Sequence, residues 1–166
     1  AKKNFLVETD DSIWKIRLHE NGIYSVQLSP PNFKACLDTL PKANKNNRHK
    51  LTLEKGTLEV GVVSLGNQHA VAFFDSIKDI PLRSWGDELQ NSSYFPKGVN
   101  LGIAKILSSK KINLRVYERG VGETMACGSG ACAATVIGNK ENLLADEVEV
   151  EFQQGSIFIE YDKKSG

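Results

Sequence analysis

Eleven consecutive residues, 128–138, read GSGACAATVIG and carry no charged side chain. This run of small and aliphatic residues predicts a helix that is apolar on every side. Such a helix has to be enclosed by other elements, because none of its faces favours water. The remainder of the chain must therefore supply a layer that covers residues 128–138.

Alternating apolar and polar residues predict that this layer is a sheet. Residues 13–28 alternate on either side of Asn21-Gly22, a dipeptide typical of a tight hairpin turn. The alternation returns at 112–116, and residues 148–152 and 157–161 are predicted to form a second hairpin. We expect further strands between 50 and 74, where the same period recurs.

A short surface helix is predicted beside these strands. It follows Pro81 and carries Leu82, Trp85 and Leu89 at helical spacing, which we interpret as contact with the core. Together the patterns predict an α+β fold, a curved and mostly antiparallel sheet wrapped around the buried central helix. No linker or repeat divides the 166 residues, so we expect a single domain over 1–166.

The charge balance excludes several classes of partner. Lys and Arg total 21 against 20 for Asp and Glu, and a net charge of +1 creates no field that would attract nucleic acid. No apolar run approaches the roughly 20 residues that span a membrane, and no signal peptide is recognisable. We expect a cytoplasmic protein with a small-molecule partner, and we interpret the basic stretch 41–50 as a solvated loop.

The cysteines indicate free thiols. Cys36, Cys127 and Cys132 are odd in number and lack a repeated spacing, which argues against a disulfide framework. The three histidines are scattered and provide no second pair of ligands. We predict no metal site.

Cys127 has the surroundings of a reactive thiol. If the helix begins after it, the first backbone N–H groups are free, and with Ser129 they would favour thiolate and hold a substrate carboxylate. Gly128 and Gly130 would let the backbone approach a ligand closely. The alternative is that Cys127 is a small apolar residue at a tight turn, as we interpret Cys132 inside the helix.

Polar residues elsewhere are weaker signals. Glu118 and Arg119 follow a predicted strand and would suit an ammonium and a carboxylate, although charges at a strand end are usually solvated. Asn67 and Asn100 lie in Gly/Asn turns, where asparagine is more often structural. These residues suggest a thiol-dependent site for a small zwitterion and do not name its reaction.

One segment resembles a known family. RVYERGVGETMACGSGACAA, residues 115–134, is similar to the signature of diaminopimelate epimerases, and SLGNQHAV at 64–71, FPKGVNLG at 95–102 and VQLSPPNF at 26–33 support it in family order. The resemblance implies one half of a two-domain fold. It also implies an isomerase that interconverts LL- and meso-diaminopimelate without a cofactor, for lysine and peptidoglycan synthesis.

The resemblance also implies roles for individual residues. The family uses two cysteines as acid and base on opposite faces of one carbon, and Cys127 matches one of them. The substrate-binding positions match Asn67 and Asn100 for the distal end or orientation of the substrate, Glu118 and Arg119 for the reacting zwitterion, and Gly128 and Ser129 for the α-carboxylate. His69 matches a position that tunes the acid–base step, and Gln68 stands where the family usually has proline.

The second cysteine of the family has no match here. It lies in a GNG-type motif of the N-terminal domain, and Cys36 has neither that setting nor a matching position. We therefore expect the chain to be the second domain alone, inactive by itself, with the N-terminal epimerase domain as its partner and a homodimer as the parent enzyme. The alternatives are a non-catalytic binding or interaction module, and a related isomerase of another small amino or hydroxy acid.

Overall fold

The structure, a computed structural model, describes residues 3–8, 13–35 and 37–163 and contains two compact units. The first unit extends to Pro30 and the second begins at Pro31. The single domain expected over 1–166 therefore stays a prediction.

The first unit is a three-stranded antiparallel sheet. Its strands are β1 (Lys3–Glu8), β2 (Ile13–Leu18) and β3 (Tyr24–Gln27), in that order. The hairpin predicted about Asn21-Gly22 is confirmed, with Gly22 at a φ of 80° that a side chain would disfavour. The alternation pattern did not predict β1.

The second unit combines a mixed sheet of eight strands with two helices. The strands are β4 (His49–Leu53), β5 (Gly56–Ser64), β6 (Gln68–Phe73), β7 (Asn100–Ser108), β8 (Lys111–Glu118), β9 (Gly122–Thr124), β10 (Glu147–Phe152) and β11 (Gly155–Glu160). The helices are α1 (Leu82–Gln90) and α2 (Gly128–Lys140), and a 3₁₀ turn covers Leu37–Thr39.

The strands run in the order β11-β10-β8-β7-β6-β5-β4, with β9 paired to β8 beside this path. β6 pairs with β7, and β8 with β10, in parallel, whereas the other pairs are antiparallel. The predicted hairpin at 148–161 is confirmed as β10 and β11. The curvature of the sheet around the helix stays a prediction.

The two helices cover opposite faces of the sheet. Neighbouring residues such as Val62 and Val63, or Val116 and Tyr117, belong to different core clusters, as the period of two requires. One cluster contains the residues of α2 and the other those of α1. Central strands buried on both faces explain their nearly continuous apolar sequences.

α2 confirms the buried helix expected from its sequence. Residues 133–139 are all buried, and the helix contacts β5, β6, β7, β8 and β11. α1 confirms the predicted short helix, with Leu82 and Leu89 buried against the other face.

The basic stretch 41–50 is only partly the solvated loop that we expected. Residues 44–47 are exposed, but the Arg48 guanidinium donates to both carboxylate oxygens of Glu141 at 2.6–3.1 Å. His49 is buried, with Nδ1 2.7 Å from the carbonyl oxygen of Pro41. An ion pair and a buried ring thus fix the end of this stretch against the core.

Candidate active site

The candidate site lies in the second unit, where three strands end beside the start of α2. β6 and β7 begin there, with His69 opposite Asn100 in the parallel register. β8 runs antiparallel to β7 and ends there with Glu118. The topology therefore gathers residues that are far apart in the chain at one edge of the sheet.

Cys127 is the N-cap of α2. Its backbone is extended, with φ −144° and ψ 110°, and its Sγ accepts a hydrogen bond from the Gly130 N–H at 3.4 Å. A Cβ on Gly130 would lie 3.1 Å from Cγ2 of Val116 and 3.3 Å from Sγ, which is tight, so glycine eases the close approach to the sulfur. The cysteine is only 7% exposed.

Glu118 and Thr124 complete a hydrogen-bonded chain with the thiol. Cys127 Sγ donates to Glu118 Oε2 at 3.4 Å, and the Thr124 hydroxyl donates to Glu118 Oε1 at 2.5 Å. Ser129 Oγ lies 3.5 Å from the same sulfur. One carboxylate oxygen thus faces the thiol while a hydroxyl holds the other.

The pKa of Cys127 is raised, which corrects the thiolate expected from the helix N-terminus. Burial is the largest cause, and the negative charge of Glu118 acts in the same direction. The hydrogen bonds from Ser129 and the Gly130 N–H lower the pKa but do not outweigh burial. The group next to Glu118 is therefore a protonated thiol near neutral pH.

The start of α2 offers two further donors. Within the described residues, the N–H groups of Gly128 and Ser129 have no hydrogen-bond partner, as expected for the first turn of a helix. Gly128 is exposed, and a Cβ built on it meets no atom within 4 Å. Packing within the chain therefore gives no reason for glycine at 128.

Asn100 joins the ends of three strands. Its Oδ1 accepts from the Arg119 N–H at 2.8 Å and its Nδ2 donates to the Gln68 carbonyl at 3.3 Å. The side chain is 5% exposed. In this structure it braces the site, and its role in binding substrate stays a prediction.

The side chain of Arg119 crosses Gly98 at the surface. Its Nη1 donates to the Lys97 carbonyl at 2.9 Å. Gly98 has a φ of 72°, and a Cβ there would lie 2.7 Å from Cδ of Arg119. Glycine at 98 therefore makes room for the aliphatic part of the arginine.

His69 and Asn67 form a separate pair. Nε2 of His69 donates to Asn67 Oδ1 at 3.0 Å, since the amide oxygen only accepts. Burial lowers the pKa of His69 to about 4, so the ring is neutral at physiological pH. The pair is joined to Asn100 through Gln68, whose Oε1 is buried and has no partner among the described residues.

The structure therefore unites part of the predicted site. Cys127, Glu118 and Ser129 form one network, and Arg119 and Asn100 adjoin it through the backbone after Glu118. Asn67 and His69 hydrogen-bond to each other and not to the thiol.

Sequence reasoning did not find Thr124. It lies opposite Val116 because the chain turns through Gly120 and Gly122, both with positive φ, and returns antiparallel to β8. The glycines spaced two apart after Glu118 are the signal of this turn.

Other expected features have separate outcomes. Burial raises the pKa of Cys132 to about 11, consistent with its interpretation as a packing residue, and Cys36 lies outside the described residues. In the part of the chain that the structure describes, no three His, Cys, Asp or Glu side chains are grouped to hold a metal ion. No helix there is long and apolar enough to cross a membrane.

Comparison with solved structures identifies the fold. A probable proline racemase from Agrobacterium radiobacter superposes with a TM-score of 0.63 at 12% identity, over 93% of this chain and 50% of that one. A phenazine biosynthesis protein of the PhzF family from Bacillus anthracis gives 0.57 at 15% identity, over 99% and 62%. The chain thus matches about half of a larger fold.

Comparison of sequences identifies the family. Diaminopimelate epimerases from Thioalkalivibrio sulfidiphilus and Buchnera aphidicola are 37% and 39% identical over 97% and 95% of this chain. The chain spans 58% and 56% of their lengths. A sequence model of the diaminopimelate epimerase family matches residues 61–166, which include the whole candidate site. The chain therefore belongs to the diaminopimelate epimerase family.

Proposed function

We propose that this chain supplies one cysteine acid–base group and part of the substrate site of a cytoplasmic, cofactor-independent diaminopimelate epimerase. The observation that carries the proposal is the contact of a buried thiol with a carboxylate at a helix N-terminus, Cys127 Sγ to Glu118 Oε2 at 3.4 Å. Membership of the diaminopimelate epimerase family supports the proposed reaction and substrate class.

The chemistry follows from the neighbours of the thiol. Cys127 releases its proton to solvent, and the Gly130 N–H and the Ser129 hydroxyl stabilise the resulting thiolate. The Glu118 carboxylate contacts the ammonium group of the reacting zwitterion. The thiolate then takes the α-proton: the C–H bond breaks, an S–H bond forms, and the electron pair stays on the α-carbon. The free N–H groups of Gly128 and Ser129 hold the α-carboxylate, into which this charge delocalises. In the other direction the thiol returns a proton to the same face.

Inversion needs a second acid on the opposite face of the carbon. Cys132 does not qualify, because burial raises its pKa to about 11 and it lies on the same helix as Cys127. We assign the second acid to the N-terminal domain of an epimerase that is a homodimer when complete. In this proposal the chain, residues 1–166, corresponds to the second domain of the epimerase, with its sheet curved around α2.

The remaining residues orient the substrate. Arg119 is exposed beside Glu118 and suits a substrate carboxylate. Asn67 and Asn100 contact or orient the distal amino acid end, and neutral His69 tunes the acid–base step. These roles follow the family resemblance.

Deuterium transfer from solvent into the α-position of diaminopimelate tests the proposal, with stereochemistry read out separately. The purified chain alone should not invert the substrate, and any exchange it supports should retain configuration and vanish in Cys127→Ala. Mixing the chain with the N-terminal domain of a relative should produce inversion. Cys132→Ala is the matched control and should behave like the unchanged chain.

Two results would contradict the proposal. Inversion by the chain alone would place both acids within it. Substrate that neither exchanges in the mixed sample nor protects Cys127 from alkylation would favour a binding module instead.

A further inference from the structure

A cavity lies at the opposite end of α2 from Cys127. Its volume is about 400 Å³, within the range of small-molecule sites. Its apolar lining includes Phe33, Leu37, Leu40, Val62 and Ile137. Three lysines, Lys34, Lys42 and Lys140, also line this distal cavity. About 20 Å of helix separates it from the thiol, at 1.5 Å per residue.

The walls of the distal cavity are fixed by contacts to the core. Asn32 and Ser64 exchange backbone hydrogen bonds at 2.8 and 3.0 Å, which anchors the segment just before Phe33. The loop that begins at Phe33 leads to Arg48, and the ion pair of Arg48 with Glu141 attaches this end of the loop to the C-terminal end of α2. The cavity is therefore a feature of packed elements.

The floor of the cavity depends on one glycine. A Cβ on Gly61 would collide with Cγ2 of Ile137, so β5 and α2 approach each other closely beneath the opening. The bottom of the cavity is thus close-packed where Gly61 meets the apolar side chain of Ile137.

The charge of the lining favours an anion. Glu141 is the single carboxylate among the described lining residues, and Arg48 neutralises it through two guanidinium nitrogens. Lys34 and Lys42 are exposed and form no ion pair within the described residues. The Lys140 ammonium lies 4.0 Å from the ring centroid of Phe33, so a cation already sits over the apolar wall.

We propose that the distal cavity binds a small amphipathic carboxylate, with its chain on the apolar floor and its head group at the lysines. Burial of the chain supplies roughly 25 cal/mol per Å² of apolar area. An ammonium is a compact charge that pairs with a carboxylate without strict geometry. Neither the burial of the apolar chain nor the pairing with lysine involves Cys127, so this site is independent of the proposed epimerase function.

Calorimetric titration with decanoate, decanol and decyltrimethylammonium tests the proposal. Decanoate should bind at one site per chain. Decanol should bind about tenfold more weakly, a loss of roughly 1.4 kcal/mol of binding free energy. Decyltrimethylammonium should not bind. Lys42→Gln combined with Lys140→Gln should lower the affinity for decanoate to the affinity measured for decanol. Lys55→Gln combined with Lys78→Gln, two exposed lysines outside the lining, is the matched control and should change nothing.

Two variants locate the bound ligand. Leu37→Ala should weaken decanoate and decanol alike, because it removes apolar wall from a side chain that is 42% exposed and not needed for the core. Cys127→Ala should leave decanoate binding unchanged. Loss of binding in Cys127→Ala would place the ligand at the candidate active site and overturn the proposal.

Other results would overturn it as well. These are the absence of saturable binding at millimolar decanoate, equal affinity for decanoate and decanol, and affinity insensitive to the lysine variant. Sedimentation that shows a dimer, disrupted by Leu37→Ala and unaffected by decanoate, would assign the cavity to a second copy of the chain.

Discussion

At the scale of single residues, Glu118 adds to the raised pKa of Cys127, for which burial is the largest cause. Replacing Glu118 by glutamine removes the negative charge that raises the pKa of the thiol, so the pH midpoint of alkylation should fall. Alkylation at pH 7 should then rise several-fold. Mass spectrometry of iodoacetamide-treated protein measures modification at 127 separately from the other cysteines.

Glu123→Gln is the control for this prediction. Glu123 is also a carboxylate at this strand end, but it pairs with Arg115 at 2.8 Å and not with the thiol. Its replacement should leave the midpoint unchanged. An unchanged midpoint in Glu118→Gln would mean that burial alone sets the pKa.

Thr124 acts through Glu118 as a positioning residue. Thr124→Val removes the donor at 2.5 Å from Oε1, and the half-buried carboxylate is then free to turn away from the thiol. The alkylation midpoint should shift toward that of Glu118→Gln, while Thr124→Ser should retain the original value. Equal midpoints in the valine and serine variants would show that the hydroxyl has no such role.

At the scale of elements, two helical glycines predict opposite effects of the same substitution. A Cβ on Gly86 in α1 would overlap the ring of Tyr117, whereas Gly128 in α2 faces open space. Gly86→Ala should reduce the free energy of unfolding by about 1–3 kcal/mol through overpacking. Gly128→Ala should raise it by up to about 1 kcal/mol. Urea titrations measure both, and a stabilised Gly86→Ala would contradict the packing of α1 on β8.

Local sequence patterns predicted some of these elements but not the contacts between distant residues. Local signals predicted the hairpin at Asn21-Gly22, the surface helix at Leu82 and the buried helix after Cys127, because turn chemistry and periodicity act within a few residues. The ion pair of Arg48 and Glu141 joins residues 93 positions apart, and no local pattern encodes it.

The same limit applies to the candidate site. The position of Cys127 at a helix start was predictable, since glycine and serine follow it. The net direction of its pKa was not, because burial depends on how α2 and β8 pack. The parallel pairs of the sheet were missed for the same reason: a strand pattern does not name its partner.

At the scale of the whole molecule, His69 makes stability depend on pH. Its pKa is about 4 in the folded chain against 6.5 for an ordinary histidine, so the unfolded chain binds more protons between these values. The contribution of His69 to the free energy of unfolding should be fully present above pH 6.5 and should be lost as the pH drops toward 4. The loss should approach about 3 kcal/mol, at 1.36 kcal/mol per pKa unit.

Urea unfolding between pH 7 and 5 measures this dependence before most carboxylates titrate. His69→Gln should flatten the curve, although its stability at pH 7 will be lower. A flat curve in the unchanged chain would show that the His69 ring is not desolvated.

The parallel pairing of β8 with β10 affects the order of events during synthesis. β10 ends at Phe152, so the strand that flanks β8 emerges from the ribosome after Cys127 and all of α2. Pairing over such a separation is slow, because the intervening loop must close first. Until the last hairpin has been synthesised and has joined the sheet, the beginning of β8 therefore has an unpaired edge on the side opposite β7.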